Sequence, residues 1–149
     1  MDHARLAELV PVLQVAVGPA ILISAVGLLL LTMTNRFGRI IDRSRILASA
    51  LRSGDEDARK AAAQQVAILW RRARLVRRAI VFGGVSALLA AALIIALFVA
   101  ALGRIEMSWL IVSLFVGSLA TLILSLLVFL QEIEQSLIAL KVDLFGSRS

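Results

Sequence analysis

Cysteine is absent from this chain of 149 residues, and its single histidine, His3, lies near the N-terminus. Without cysteine the chain can form neither a disulfide nor a thiolate nucleophile, and the redox compartment cannot be inferred from it. Charged residues make up only 17% of the chain, and no acidic residue lies within a long apolar run. A glycine-rich phosphate-binding loop is also missing. We therefore expect no enzymatic activity, no metal site and no cofactor.

Apolar residues, in contrast, make up 60% of the chain, and the mean hydropathy is +0.95. Soluble domains contain roughly 45–50% apolar residues. The excess lies in three uncharged runs, at residues 9–34, 79–103 and 108–130. Each run is longer than the roughly 20 residues that cross a hydrocarbon core, and backbone groups in lipid must be bonded within their own segment. The sequence therefore predicts an all-α integral membrane protein with three transmembrane helices.

The first apolar run has the position of a signal peptide but not its features. The preceding segment carries Asp2 and Glu8 as well as Arg5. The run is also longer than the roughly 7–15 residues of a signal-peptide core, and no cleavage site of small residues follows it. We expect this segment to be retained as a transmembrane helix.

Basic residues are concentrated between the first two apolar runs. Residues 36–78 hold 12 of the 16 basic residues and four acidic ones. Basic loops stay on the cytoplasmic side of a membrane. The charge distribution therefore predicts an N-terminus outside, residues 36–78 inside, residues 104–107 outside and a cytoplasmic C-terminus.

The cytoplasmic segments show apolar residues at helical spacing. Two stripes in residues 36–78 flank a break at Ser53–Gly54 and predict an antiparallel helical hairpin. A third stripe continues the last span as a C-terminal helix over residues 131–145. We expect the three stripes to pack as a coiled-coil-like stalk. The first stripe comprises Phe37, Ile40, Ser44, Leu47 and Leu51, the second comprises Ala62, Val66, Leu69, Ala73 and Val76, and the third comprises Ile133, Leu137, Leu140 and Leu144.

Three contiguous acids, Asp55, Glu56 and Asp57, follow the break in the hairpin. Ser53 and Glu56 have the spacing of a capping box, and acids stabilise the positive end of a helix dipole. We interpret these acids as a helix start rather than as a metal site.

A cluster of five arginines lies just before the second span, and two acids, Glu132 and Glu134, lie just after the third. Arginines near an anionic leaflet gain about 1 kcal/mol each. We interpret the cluster first as a determinant of topology and a lipid anchor, with some arginine–glutamate pairs across the bundle. A regulatory site for anionic lipid is the alternative. The residues of this head-group or ion-pair cluster are Arg71, Arg72, Arg74, Arg77, Arg78 and Glu132.

Small residues recur every four positions in the second and third spans. Such rows allow close contact between helices where no hydrophobic drive exists. Packing between helices of the same chain accounts for one such row. The second row leaves a surface for contact with another copy of the chain, which favours a homo-oligomer. The predicted packing residues are Gly83, Ala87 and Ala91 in the second span, and Ser113, Gly117, Thr121 and Ser125 in the third.

Polar residues of the first span fall on one helix face. Gly18 and Pro19 interrupt this face and predict a kink, because proline removes one backbone hydrogen bond. The face is either the wall of an aqueous pore in an oligomer or the seam with the other two helices. Its residues are Gln14, Gly18, Pro19, Thr32, Asn35, Arg36, Arg39 and Arg43.

Residues 9–47 resemble an uncharacterised bacterial family of small three-span membrane proteins, known only as a domain of unknown function. The segments PAILIS and MTNRFGRIIDRSR carry the likeness. The resemblance implies a bacterial inner-membrane location and supplies no activity or functional residue.

Two functions remain open. The first is a channel-like homo-oligomer in which the first helix lines an anion pathway. The alternative is a non-conducting scaffold or regulator whose basic stalk binds a cytoplasmic protein or anionic lipid. Nucleic acid is not an expected partner, because the basic segment is tethered to the membrane at both ends and lacks a stacking platform.

Overall fold

A computed structural model of the chain describes residues 2–53 and 56–145, with side chains described for residues 10–49, 51, 56, 59–60 and 62–134. The described residues form three α-helices, α1 (Asp2–Ser53), α2 (Glu56–Gly103) and α3 (Ser108–Phe145). The predicted all-α fold is confirmed, and each of the three apolar runs lies in a different helix. Gly54 and Asp55, where we predicted the break in the hairpin, lie outside the described residues.

All three helices are long and apolar enough to cross a membrane, over Val10–Ser49, Ala62–Gly103 and Ser108–Glu134. Many of their large apolar side chains are exposed, for example Leu88, at 71% of its surface, and Ile21, at 64%. Contiguous apolar surface is unfavourable in water and is well solvated by lipid. The prediction of a small three-span membrane protein is confirmed.

Helix α1 contains two prolines, Pro11 and Pro19, and is continuous through both. Each proline removes one backbone donor from the helix. Pro19 is buried, whereas the neighbouring Gly18 is exposed. Proline therefore does not end the helix at either position, and the kink at Gly18–Pro19 stays a prediction.

The chain divides into two compact units. The apolar unit comprises Met1–Leu30 and Phe82–Leu124, and the arginine-rich unit comprises Leu31–Val81 and Ser125–Ser149. Each unit contains one segment of each helix. All of the basic residues between positions 36 and 78 belong to the arginine-rich unit, as do the predicted hairpin and the predicted C-terminal helix.

In the apolar unit, α2 and α3 are joined by two fully buried serines. The Ser86 hydroxyl donates to the Ser118 carbonyl over 2.8 Å, and the Ser118 hydroxyl donates to the Ser86 carbonyl over 3.1 Å. Serine is small enough to let two helix backbones approach this closely, and its hydroxyl then finds a partner across the interface. This reciprocal pair fixes the alignment of the two helices in the apolar unit.

The turn after α2 is closed by a helix-capping motif. Arg104 has a positive φ of 48°, and the Ile105 amide donates to the Ala100 carbonyl over 3.2 Å. A left-handed residue followed by this backward hydrogen bond is the Schellman arrangement, which satisfies carbonyls at the end of a helix. The motif allows α3 to begin at Ser108, only five residues after α2 ends.

The arginine-rich unit has its own small core. Met33, Val76 and Ala79 are buried at its centre, and half-buried residues from all three helix segments surround them: Phe37, Ile40, Ile80, Val128 and Phe129. The predicted stripe on α1 is half-buried throughout, and the stripe on α2 is buried at four of its five positions. Ile133 is half-buried, whereas the side chains of Leu137, Leu140 and Leu144 lie outside the described residues.

Candidate functional site

A cavity of about 490 Å³ lies in the arginine-rich unit. Helix α1 contributes most of its wall, α2 contributes two residues, and α3 contributes one. The lining residues are Thr32, Arg36, Arg39, Ile40 and Arg43 from α1, Leu69 and Arg72 from α2, and Glu132 from α3. We call this cavity the arginine pocket, because four guanidinium groups and one carboxylate line it. Its formal charge is therefore +3.

Arg36 is held by two neighbours from α3. Its Nη2 atom lies 3.4 Å from Oε2 of Glu132, and its guanidinium carbon lies 5.4 Å from the centre of the Phe129 ring. A cation over an aromatic face is attracted by the ring quadrupole. These contacts orient the guanidinium of Arg36 along one wall of the arginine pocket.

Glu132 is unusual for a carboxylate because only 3% of its side chain is exposed. Its Oε2 atom is buried and makes no hydrogen bond within the described part of the chain, so its contact with Arg36 is electrostatic. Removing a charge from water is costly unless the charge is paired and hydrogen-bonded. The pair with Arg36 offsets this cost only in part.

The alignment of α2 with α3 brings Arg72 and Glu132 to the same pocket. The Ser125 hydroxyl donates to the Ala79 carbonyl over 2.7 Å. Arg72 lies seven residues before Ala79, and Glu132 lies seven residues after Ser125. Seven residues are about two helical turns, so the two side chains lie opposite each other. The Nη2 atom of Arg72 is nevertheless buried and has no hydrogen-bond partner among the described residues.

The other arginines of the α2 cluster are not among the residues that line the arginine pocket. Arg71, Arg74, Arg77 and Arg78 are exposed, whereas Arg72 is half-buried. We expected Glu132 to pair with this cluster, and its ion pair is instead with Arg36 of α1. The physical reason is the helix period, since only Arg72 of the cluster lies on the face of α2 that contacts α3.

The predicted polar face of α1 is divided between the two units. Thr32, Arg36, Arg39 and Arg43 line the arginine pocket, where they meet α2 and α3 of the same chain. Asn35 is exposed and is not among the pocket-lining residues. In the apolar unit, Gln14 and Gly18 are exposed, and Pro19 is buried. The structure therefore brings together the basic half of the predicted face.

The small-residue rows contact neighbouring helices at some positions only. Gly83 is buried, and Ala87 and Ala91 are half-buried. A side chain at Gly117 would meet Leu89 at 3.5 Å, and Ser125 bonds to α2. Ser113 and Thr121 donate to carbonyls of their own helix, and Ser113 is exposed.

Sequence reasoning missed the buried polar line of α3, which is formed by Ser118, Ser125 and Glu132. These residues are spaced by seven positions, and all three are buried. A seven-residue repeat is the signature of a helix seam. The seven-residue spacing of these polar side chains along α3 could have identified it.

Over residues 16–142 the chain matches the family described as "Protein of unknown function (DUF2721)". No curated protein matches the chain. No solved structure matches it either.

Proposed function

The chain belongs to the DUF2721 family of proteins of unknown function, and we propose that it is a non-catalytic membrane protein that binds an anionic ligand in its arginine pocket. The observation that carries this proposal is the charge of the cavity, with four arginines against one glutamate. A cavity of one charge sign with low-dielectric walls concentrates ions of the opposite sign. Arginine forks also bind planar or tetrahedral oxyanions through paired hydrogen bonds.

The arginine-rich unit is proposed to lie on the cytoplasmic side of the membrane. The excess of basic residues supports a cytoplasmic arginine-rich unit with the N-terminus outside, and we propose a bacterial inner membrane as its location. The exposed arginines of α2 would then lie near anionic head groups, which stabilise that orientation. In this setting the protein acts as a scaffold or regulator whose stalk reports the bound anion to a cytoplasmic protein.

Sulfate, a tetrahedral dianion, is a suitable first probe of the arginine pocket. We expect sulfate to raise the melting temperature of the purified protein by several degrees at constant ionic strength, because a ligand of the native state stabilises it by mass action. A triple variant with Arg39→Gln, Arg43→Gln and Arg72→Gln should lose most of this rise. The melting temperature in nonionic detergent is the measurement.

The matched control removes the same charge from the exposed cluster, with Arg71→Gln, Arg74→Gln and Arg77→Gln. Sulfate also stabilises proteins by exclusion from their surface, and this control retains that general effect. We expect the control to respond as the wild type does. If both triple variants lose the rise equally, binding is a property of the total charge and the pocket is not a site.

A second candidate function is an anion-conducting homo-oligomer, and the exposure of Gln14 favours it. This amide lies on an apolar helix, and its side chain is exposed in the single chain. The space beside Gly18 is open, because a Cβ atom added to this glycine would meet nothing within 4 Å. An amide in lipid is costly and commonly serves as a contact between helices. Another copy of α1 or a column of water would cover it.

Because the chain lacks cysteine, a single Gln14→Cys substitution tests this second function. A pore predicts rapid labelling by a membrane-impermeant thiol reagent together with anion conductance in planar bilayers. A dry oligomer seam predicts disulfide-linked dimers without labelling. Leu88→Cys, on the lipid-exposed surface of α2, is the control for non-specific collision. Both forms of the oligomer are contradicted if the Gln14→Cys protein neither forms disulfide-linked dimers nor reacts with the thiol reagent, and if the protein shows no anion conductance in bilayers.

A further inference from the structure

The paired atoms of the ion pair at the arginine pocket are farther apart than in a well-formed charged hydrogen bond. Arg36 and Glu132 approach to 3.4 Å, and the carboxylate oxygen involved has no hydrogen bond within the described residues. Charged hydrogen bonds that are well formed are shorter, at about 2.7–2.9 Å. Glu132 therefore neutralises Arg36 in part while leaving its donors available.

Arg72 supplies the second observation. Its Nη2 atom is buried at the same pocket without a hydrogen-bond partner among the described residues. Buried polar groups are nearly always hydrogen-bonded, and a buried donor without an acceptor is destabilising. If the guanidinium of Arg72 turned into the pocket, an acceptor held between Arg72 and Arg36 would remove this cost. The ligand is therefore expected to reach the inner wall rather than remain at the entrance.

The charge of the pocket selects among oxyanions. A carboxylate or a phosphodiester carries one negative charge, whereas a phosphomonoester carries about two near neutral pH and has three acceptor oxygens. The four arginines exceed the one carboxylate by three charges. A dianion with three acceptor oxygens can accept hydrogen bonds from guanidinium groups on both α1 and α2. A monoanion with two acceptor oxygens can accept fewer of these hydrogen bonds.

The position of the pocket along α1 indicates where such a group is available. The uncharged run of α1 ends at Thr34, and the pocket-lining residues begin at Thr32. Thr32 to Arg43 extends for about 16 Å at 1.5 Å per residue. The pocket thus begins where the hydrocarbon region ends, at the depth of lipid phosphates and within reach of soluble ones.

We infer that the arginine pocket is a site for a phosphomonoester dianion, from a lipid head group or a soluble compound, and that Glu132 competes with this ligand for Arg36. This inference rests on the proposed function and adds the ligand class and its regulation. When the dianion binds, Arg36 exchanges the carboxylate of α3 for the phosphate. The contact between α1 and α3 in the arginine-rich unit is therefore coupled to occupancy.

Isothermal titration of the full-length protein in nonionic detergent tests the inference. The probes are glycerol phosphate, dimethyl phosphate as a singly charged diester, and a short-chain diacylglycerol phosphate. We expect the phosphomonoesters to bind at least about tenfold more tightly than the diester, because one added charge near arginines is worth at least that ratio at an effective dielectric constant of about 20. Tight binding of the lipid alone identifies a head group as the source, and equal binding of glycerol phosphate identifies a soluble compound.

Two pairs of variants separate this mechanism from general electrostatics. Glu132→Gln should tighten phosphomonoester binding by at least about tenfold, since it removes a competing charge from the pocket. Glu134→Gln removes the same charge from an exposed position two residues away and should change the affinity by less than about twofold. Arg72→Gln should weaken binding by roughly tenfold, whereas Arg71→Gln, at an exposed position, should have little effect.

Equal affinities for monoester and diester would overturn the inference, as would a Glu132→Gln variant that binds no more tightly than Glu134→Gln. If sulfate still stabilises the wild type in either case, the anion-binding function stands and only the ligand class and the role of Glu132 are wrong. Failure of every anion to bind the pocket would refute both proposals.

Discussion

Replacing Arg36 with methionine destabilises the protein by about 3 kcal/mol, because it leaves the carboxylate of Glu132 buried without its ion-pair partner. The side chain of Glu132 is only 3% exposed and lies 3.4 Å from Arg36. Loss of one partner from a buried pair costs roughly 3–5 kcal/mol. We expect the lower end of that range because the positive charge of Arg72, in the same pocket, still offsets part of the charge of Glu132. Reversible unfolding in mixed micelles measures the effect.

The double variant Arg36→Met with Glu132→Met should recover most of the lost stability. Replacing a whole buried pair with apolar side chains is often neutral or stabilising. The exposed pair of Lys60 and Glu56 provides the control, since Lys60→Met should cost less than about 0.5 kcal/mol. A double variant as unstable as Arg36→Met would show that the stability of this region does not depend on the charge of Glu132.

Replacing Ser118 with leucine separates α2 from α3 in the apolar unit and costs about 3 kcal/mol. Ser118 is fully buried and exchanges hydrogen bonds with Ser86. A larger side chain in a closely packed interface costs roughly 1–3 kcal/mol, and the broken hydrogen bonds add about 0.6 kcal/mol each. The same unfolding measurement applies, with Ser118→Ala expected to lose less than about 1 kcal/mol.

Ser113 is the matched control for Ser118. It lies in the same apolar stretch of α3, is exposed, and donates to the carbonyl of Trp109 in its own helix. Ser113→Leu adds the same volume on a lipid-facing surface and should leave the stability unchanged within about 0.5 kcal/mol. If Ser113→Leu is the more harmful of the two, the assigned face of α3 is wrong.

The membrane spans were predictable because their signal is averaged over many residues. Runs without charge longer than about 20 residues have no other stable structure in lipid than a helix. These features depend on neighbours in sequence and need no knowledge of packing.

The contacting faces were harder to predict because apolar side chains carry no directional signal in lipid. Leucine is stable both against another helix and against acyl chains, so hydropathy does not separate the two sides of a span. The four-residue row of α3 included Ser113, which is exposed. The seven-residue line of Ser118, Ser125 and Glu132 marks the buried face correctly, since buried polar side chains need partners from another helix.

The pairing of Glu132 with Arg36 could not be read from the sequence. Both α1 and α2 carry arginines near the ends of their apolar runs, and each was a possible source of the partner. The choice depends on the rotation of the helices, which is set by the core of Met33, Val76 and Ala79. The amino-acid sequence alone does not specify this rotation, because the rotation depends on how the three helices pack against one another.

The ratio of bound phosphomonoester lipid to protein, measured by native mass spectrometry, tests whether the arginine pocket of a single chain is the anion site. A pocket assembled by one chain predicts one retained lipid per chain in the wild type and in the variant with Arg71→Gln, Arg74→Gln and Arg77→Gln. It predicts none in the variant with Arg39→Gln, Arg43→Gln and Arg72→Gln. Lipid numbers that fall equally in both variants would contradict the claim, because they would follow the total charge instead of the pocket.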